Sequence, residues 1–165
     1  MKKIENTLAA SLVAIALAFS PIVLYAGAGH DDELRVFDPT ETKFGRYTPK
    51  MHVTKTIEIV MNDQMRFSPS LVNVKKGDVV KFVHENTGKM MHEFVLGTSE
   101  SLVMHAKMMK KHPGMEHLEP YMAHVAPGKK GVVIWQFSEA GEFTFGCLIP
   151  GHFDAGMKGK VHVDS

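Results

Sequence analysis

The sequence predicts an all-β protein, a β-sandwich that is interrupted by a partly helical insertion. From residue 53 onward, short runs rich in β-branched and aromatic residues alternate with Gly, Pro, Asn or Lys-Gly turns. These runs are TIEIVM, LVNV, DVVKFVH, EFVL, GVVIWQF, EFTFGC and KVHV. Strand side chains alternate between faces, so Phe143, Phe145 and Cys147 share one face. Many short strands separated by turns are typical of two packed sheets.

The first residues have the layout of a secretory signal peptide. Two lysines precede an apolar run from Leu8 to Leu24, and the small residues Ala26-Gly27-Ala28 follow it. A membrane anchor is the alternative, but a span needs about 20 strongly apolar residues, and this run is short and rich in alanine. We therefore expect residues 1–28 to be a signal peptide, with cleavage after Ala28 and export to the periplasm.

The rest of the chain divides into an arm and one domain. Residues 29–52 are polar and irregular, which indicates an N-terminal arm or linker. Residues 53–165 form the predicted domain, with an insertion at about 98–126 that has few strand formers and many helix formers. Within it, the pattern predicts a helix over residues 100–111, ended by His112-Pro113-Gly114.

The amino-acid composition of the chain limits the kinds of ligand and partner that it can bind. The 19 basic and 18 acidic residues nearly balance, so there is no electrostatic footprint for nucleic acid. The single cysteine, Cys147, cannot form an internal disulfide in an exported chain. It is a buried hydrophobe, a free thiol or a metal ligand. The 12 methionines and 10 histidines supply soft thioethers and imidazoles, which suit copper.

A ligand loop stands around that cysteine. CLIPGHFDAGM places Cys147, His152 and Met157 at intervals of five residues, and the proline and glycines between them let the loop bend back. His92 is the best candidate for a fourth ligand, because it follows a predicted turn and opens the EFVL run. Two imidazoles and a thiolate with a weak axial thioether make a blue-copper site. Zinc is the alternative, but zinc sites rarely use Met and often use carboxylates.

The chain resembles a known family in these same segments. Residues 57–163 are similar to the cupredoxins, the group of plastocyanin, azurin, auracyanin and rusticyanin. FSPSLVNVKKGDVVKF (67–82) resembles their early strands, GEFTFGC (141–147) the strand that enters the site, and CLIPGHFDAGMKGKVHV (147–163) the ligand loop and last strand. The MMHEF segment and the HPGMEH insertion look most like periplasmic proteins of bacterial copper tolerance.

The resemblance implies a Greek-key sandwich with one copper ion as cofactor. It also implies that Cys147, His152 and Met157 are ligands and that His92 is the upstream histidine. The chain departs from the family at Glu93, where many cupredoxins have an asparagine that ties the two ligand loops together. The hydrogen bonds to the cysteine sulfur are therefore left open by the sequence.

Further methionines and histidines lie in the insertion, and they suggest a second, weaker copper patch. They are Met104, His105, Met108, His112, Met115, His117, Met122 and His124. Met104 and Met108 fall on one face of the predicted helix, and Leu102, Ala106 and Met109 on another. Ordinary packing is the alternative, since Met suits both helices and cores. Both interpretations stay open, as does the binding of additional Cu(I).

The function expected from these observations is copper binding with one-electron chemistry at a type 1 site, in copper tolerance. The alternative is a soluble electron carrier between periplasmic redox partners. We expect a monomer that binds neither nucleic acid nor, after signal cleavage, a membrane. An enzyme is not expected, because Gly146 and Leu148 flank Cys147 where copper enzymes place a histidine. Weak oxidation of Cu(I) by the Met/His cluster stays open.

Overall fold

The computed structural model describes residues 36–113 and 117–165. The predicted signal peptide, the start of the arm and Met115 lie outside the described residues. Two β-sheets pack face to face in the described part, and one helix lies beside them. No helix in residues 36–113 and 117–165 is long and apolar enough to cross a membrane. The prediction of an all-β sandwich with a partly helical insertion is confirmed.

The described chain contains these strands and this helix in order: β1 (Thr40–Thr42), β2 (Gly45–Tyr47), β3 (Lys55–Asn62), β4 (Arg66–Ser68), β5 (Leu71–Lys75), β6 (Val79–Asn86), β7 (His92–Gly97), α1 (Ser99–Lys111), β8 (Met122–Val125), β9 (Lys130–Gln136), β10 (Gly141–Gly146) and β11 (Lys158–Asp164). The six-stranded sheet has the order β1-β2-β9-β6-β3-β4, and the five-stranded sheet has the order β5-β11-β10-β7-β8. Each run that the sequence predicted as a strand lies in one of these sheets.

Aromatic side chains fill the space between the sheets. Phe82, Phe94 and Phe145 are fully buried, and the rings of Phe94 and Phe145 stack with centroids 5.2 Å apart. Trp135 is also fully buried, and its indole Nε1 donates a hydrogen bond to the carbonyl of Phe44 at 3.0 Å. Large rings of this kind contribute much of the apolar burial in a core, so the two sheets form a rigid support.

Part of the predicted arm belongs to the sandwich. Strands β1 and β2 pair as a hairpin, and β2 joins β9 where Arg46 lies opposite Gln136. Phe44 and Tyr47 are buried in the core. Gly45 has φ +133°, and a Cβ there would lie 2.1 Å from the carbonyl oxygen of Gln136. The polar composition of this segment hid two aromatic anchors that fix it to the sheet.

Helix α1 begins and ends close to the predicted positions. The Thr98 hydroxyl caps its start by accepting a hydrogen bond from the backbone N–H of Ser101 at 3.1 Å. His112 caps its end by donating its N–H to the carbonyl of Met108 at 3.0 Å. The buried face of α1 contains Leu102, Ala106 and Met109, which pack with Val95, Met122 and Leu148. The helix is thereby attached to the chain next to Cys147.

The insertion ends in a strand that its composition did not predict. Strand β8 pairs antiparallel with β7, so that Glu93 lies opposite His124 and Val95 opposite Met122. Met122 is buried in the small cluster under α1. For this residue the structure supports ordinary packing, the alternative to copper binding. Tertiary pairing with β7 overrides the weak strand propensity of MAHV.

Replacing Leu102 by Ala should destabilise the domain by about 2–5 kcal/mol, because a buried Leu side chain is removed from a closely packed site. Val103 on the same helix is 39% exposed, and Val103→Ala should change the free energy of unfolding by less than about 0.5 kcal/mol. Urea unfolding of both variants measures the difference. Equal effects of the two substitutions would mean that α1 does not depend on its buried face.

Candidate metal centre

Three of the four side chains predicted as ligands, those of His92, Cys147 and His152, lie close together. His92 is the first residue of β7, and Cys147 directly follows β10, the neighbouring strand in the same sheet. The ligand atoms of His92, Cys147 and His152 all lie within 4.8 Å of one another. Among the residues that the structure describes, this is the one such group of three His, Cys, Asp or Glu side chains. The predicted ligand loop and the upstream histidine therefore come together.

Backbone hydrogen bonds close the ligand loop around Met157. The N–H of Cys147 donates to the carbonyl of Met157, and the N–H of Met157 donates to the carbonyl of His152, both at 3.0 Å. Gly151 and Gly156 have φ of +91° and +96°, a region that favours glycine. Met157 is 0% exposed and belongs to the same core cluster as Cys147. Its place between the loop and β11 is thus fixed by main-chain contacts.

The His92 ring is oriented by a carboxylate. Its Nε2 lies 3.1 Å from Oδ1 of Asp63, while its Nδ1 is buried and has no hydrogen-bond partner. Backbone N–H groups of Lys89 and Met90 donate to Asp63, and the bond from Lys89 is the main reason that the pKa of Asp63 is lowered. An ionised Asp63 accepts the Nε2 proton of His92. This leaves the Nδ1 lone pair free to bind a metal.

His152 supplies the second imidazole. Its Nδ1 lies 3.3 Å from the sulfur of Cys147, and its ring centroid is 5.2 Å from that of His92. Burial, and after it the nearby His92, lower the pKa of His152. The ring is therefore neutral at pH 7, which is the form that binds metals.

The sulfur of Cys147 lies in an apolar environment. Burial raises the pKa of this thiol to about 12, against the opposing effect of backbone N–H groups of Glu93 and Ile149. A thiolate at this position needs a positive charge beside it, and a metal ion supplies that charge. One thiolate, two imidazoles and the buried methionine whose backbone is bonded to that of Cys147 are a donor set that fits copper.

Glu93 connects the two segments that carry the ligands. Its backbone N–H donates to the Cys147 sulfur at 3.3 Å, and its Oε2 accepts the N–H of Leu148 at 3.2 Å. Its other oxygen, Oε1, lies 2.6 Å from Nε2 of His124. Glu93 is 1% exposed. The departure from the family pattern thus keeps the tie between the loops and adds a link to β8.

Asn86, which the sequence analysis missed, holds the turn before His92. Its side-chain nitrogen donates to the carbonyls of Met90 and Val125, both at 2.8 Å. Its side-chain oxygen accepts the N–H of Gly88 at 2.9 Å. The Asn-Thr-Gly turn was a local signal for this role. Asp63 was also missed, and it has no comparable signal because it is 29 residues from His92 in sequence.

The residues of the predicted second copper patch differ in their burial and in their contacts. Met104 and Met108 are 63% and 51% exposed on the outer side of α1. The rings of His105 and His117 lie together, with centroids 4.8 Å apart. His124 is bonded to Glu93, and Met122 is in the core. The backbone N–H of His112 caps the helix, and its side chain is exposed. The structure thus brings together only part of the predicted set, the pair of His105 and His117.

Comparison with known proteins gives a consistent picture. The family model described as copper binding proteins, plastocyanin/azurin family, matches residues 53–164. A protein named copper-resistant cuproprotein CopI, from Rubrivivax gelatinosus, is 43% identical over 158 residues, which cover 93% of this chain and 94% of that protein. A protein of the same name from Pseudomonas aeruginosa is 32% identical over 149 residues, covering 73% of this chain and 82% of that protein.

A solved structure with the same fold is the reduced auracyanin of Roseiflexus castenholzii. It superposes with a TM-score of 0.60 at 19% identity, covering 69% of this chain and 100% of that one. At this identity the likeness concerns the fold. The family match, the identity and coverage of the two relatives, and the donor set at Cys147 all indicate a copper-binding protein. The chain belongs to the plastocyanin/azurin family of copper-binding proteins, the cupredoxins, and is related to the copper-resistance cuproprotein CopI.

Proposed function

We propose that this protein is a periplasmic cupredoxin that acts in copper tolerance through a mononuclear type 1 copper site. His92, Cys147, His152 and Met157 are the proposed ligands. The observation that carries the proposal is the meeting of two imidazoles with a buried thiol, within 4.8 Å of one another, together with the unpaired buried Nδ1 of His92. The relatives named copper-resistant cuproproteins support the role in tolerance, and the signal-peptide pattern supports export.

Copper at this position supplies one-electron chemistry. The residues of the chain supply a fixed geometry: Asp63 orients His92, and main-chain bonds hold Cys147 and Met157 against each other. Thiolate and thioether suit the reduced ion, and imidazole suits both oxidation states. Since the supporting strands are rigid, the ligands need move little when an electron enters or leaves.

Glu93 acts in this proposal as a positioning residue for the cysteine loop. Its carboxylate holds the backbone of Leu148, and its own backbone N–H contacts the sulfur. A hydrogen bond to the cysteine sulfur tunes a copper–thiolate site. The same side chain contacts His124 on β8, so the copper loop and the end of the insertion share one anchor.

A soluble electron carrier is the second candidate. The observation that favours it is that His152 is half-buried, so its ring reaches the surface next to the buried sulfur. An imidazole edge at the surface is a route for an electron to a redox partner protein. The chain offers no histidine directly beside Cys147. We therefore propose a non-enzymatic protein in either role.

Cys147→Ser should abolish the visible absorption of the Cu(II) form, because thiolate-to-copper charge transfer requires the sulfur. Ser fits the space of Cys, so the circular dichroism of the variant should match the wild type. Cells that carry the variant in place of the wild type should grow less well on copper. Unchanged colour would refute the ligand set. Loss of colour with unchanged tolerance would make electron transfer the better assignment.

Met157→Leu should retain copper, because an axial thioether is a weak, long ligand. Removal of the thioether should raise the reduction potential, which a redox titration followed by visible absorption measures. Leu has a similar volume, so packing around the site should be preserved. Complete loss of copper would show that Met157 is a principal ligand and that the site is not trigonal.

Glu93→Ala should leave the Leu148 N–H without its buried acceptor, which costs about 1–3 kcal/mol of stability. The visible absorption bands should shift, and copper should be lost faster to a chelator. Glu93→Gln keeps an acceptor oxygen and should have a smaller effect on both measurements. Glu142→Gln is the control, because Glu142 is an exposed carboxylate paired with Lys160. Identical spectra for Glu93→Ala and wild type would contradict the positioning role.

A further inference from the structure

Two histidines outside the type 1 site lie close together at the insertion. His105 is on α1, and His117 is on the segment that leads back to β8. Their ring centroids are 4.8 Å apart, with an angle of 39° between the ring planes. Both residues are half-buried, so the pair is held by the fold and still accessible from solvent. Two imidazoles at this separation can share one metal ion.

Met108 is a candidate soft ligand one helical turn from His105. Met108 is three residues after His105, and residues at this spacing are neighbours on a helix surface. Its side chain is 51% exposed, so the thioether can turn toward the rings without leaving a core. Imidazole and thioether together favour Cu(I), whereas zinc would call for carboxylates or thiolates.

The local charge also suits a cation. Burial and the neighbouring His117 lower the pKa of His105, and the negative charges of Glu93 and Glu119 act on it in the opposite direction. These two carboxylates therefore place a negative potential at the His105 ring. Glu93 also holds the cysteine loop. One buried carboxylate therefore acts electrostatically on His105 and contacts the chain next to Cys147.

We propose that His105 and His117, with Met108, bind a second copper ion as Cu(I). This inference rests on the proposed role in copper tolerance and deepens it, since a protein that protects against copper gains from an added Cu(I) site. It also narrows the predicted patch, because Met122 is in the core and His124 is bonded to Glu93.

The test uses the mature protein under anaerobic conditions, titrated with Cu(I) against a chromophoric Cu(I) chelator. Wild type should bind two Cu(I) ions. Cys147→Ser alone would leave two imidazoles and a thioether at the first site, so His92→Gln is combined with it. The Cys147→Ser/His92→Gln protein should bind one, because the second site uses neither side chain. Adding His105→Gln and His117→Gln to that background should remove the remaining ion. Met108→Leu should weaken Cu(I) binding at the second site. The control Met104→Leu, also exposed on α1, should not.

A second pair of variants separates this proposal from the type 1 site. His105→Gln/His117→Gln in the otherwise wild-type chain should keep the visible absorption of the Cu(II) form and lose one Cu(I). The matched control His162→Gln changes an exposed histidine on β11 that contacts Glu142 and Asp164, and it should lose none. Equal Cu(I) stoichiometry in the double variant and wild type would overturn the second site.

If the His105→Gln/His117→Gln variant does not fold, histidine ring resonances of the Cys147→Ser/His92→Gln protein decide the question. Cu(I) should then shift the signals of His105 and His117, and unshifted signals would overturn the proposal. Absence of visible absorption in Cu(II)-loaded wild type would overturn the type 1 site alone, since Cu(I) binding by Cys147→Ser/His92→Gln is measured independently.

Discussion

The buried contact between Glu93 and the chain at Cys147 and Leu148 is the constraint on which the rest of the site depends. A thiol in an apolar environment resists ionisation, so it becomes a ligand only if a cation and hydrogen-bond donors are held beside it. Glu93 provides the donor through its backbone and fixes the loop through its carboxylate. Because β7 carries both His92 and Glu93, one strand positions an imidazole and the cysteine loop together.

The same strand explains why the insertion is structurally tied to the copper site. Its partner β8 ends the insertion and brings His124 to Glu93, while α1 packs through Leu102 against Leu148. Two separate contacts thus connect the Met/His-rich segment to the residues next to Cys147. A copper ion bound at His105 and His117 would lie beside the contacts that hold the proposed type 1 site. This arrangement relates the two proposed functions of the chain, copper binding and one-electron chemistry, through shared supports.

Local patterns predicted much of the fold. The alternation in EFTFGC placed Phe145 and Cys147 on the buried face, and the helix over residues 100–111 was predicted to within one residue of its observed start. Strand β8 and the hairpin at Phe44 were missed, because neither has the composition of a strand. They form because neighbouring strands offer unpaired backbone groups and because buried aromatic residues hold the hairpin in place.

The sequence by itself indicated the chemistry of the proposed site: a single thiol, an imidazole and a thioether within one loop favour copper over zinc. The proline and glycines between them indicate a loop that bends back. Only the tertiary structure decided how these groups are held. Asp63 reaches His92 from 29 residues away, and Glu93 acts on Leu148 and His124 across two strand pairs. Contacts of this kind depend on strand register, which local sequence does not encode. The roles of these carboxylates can therefore be recognised only in the folded structure.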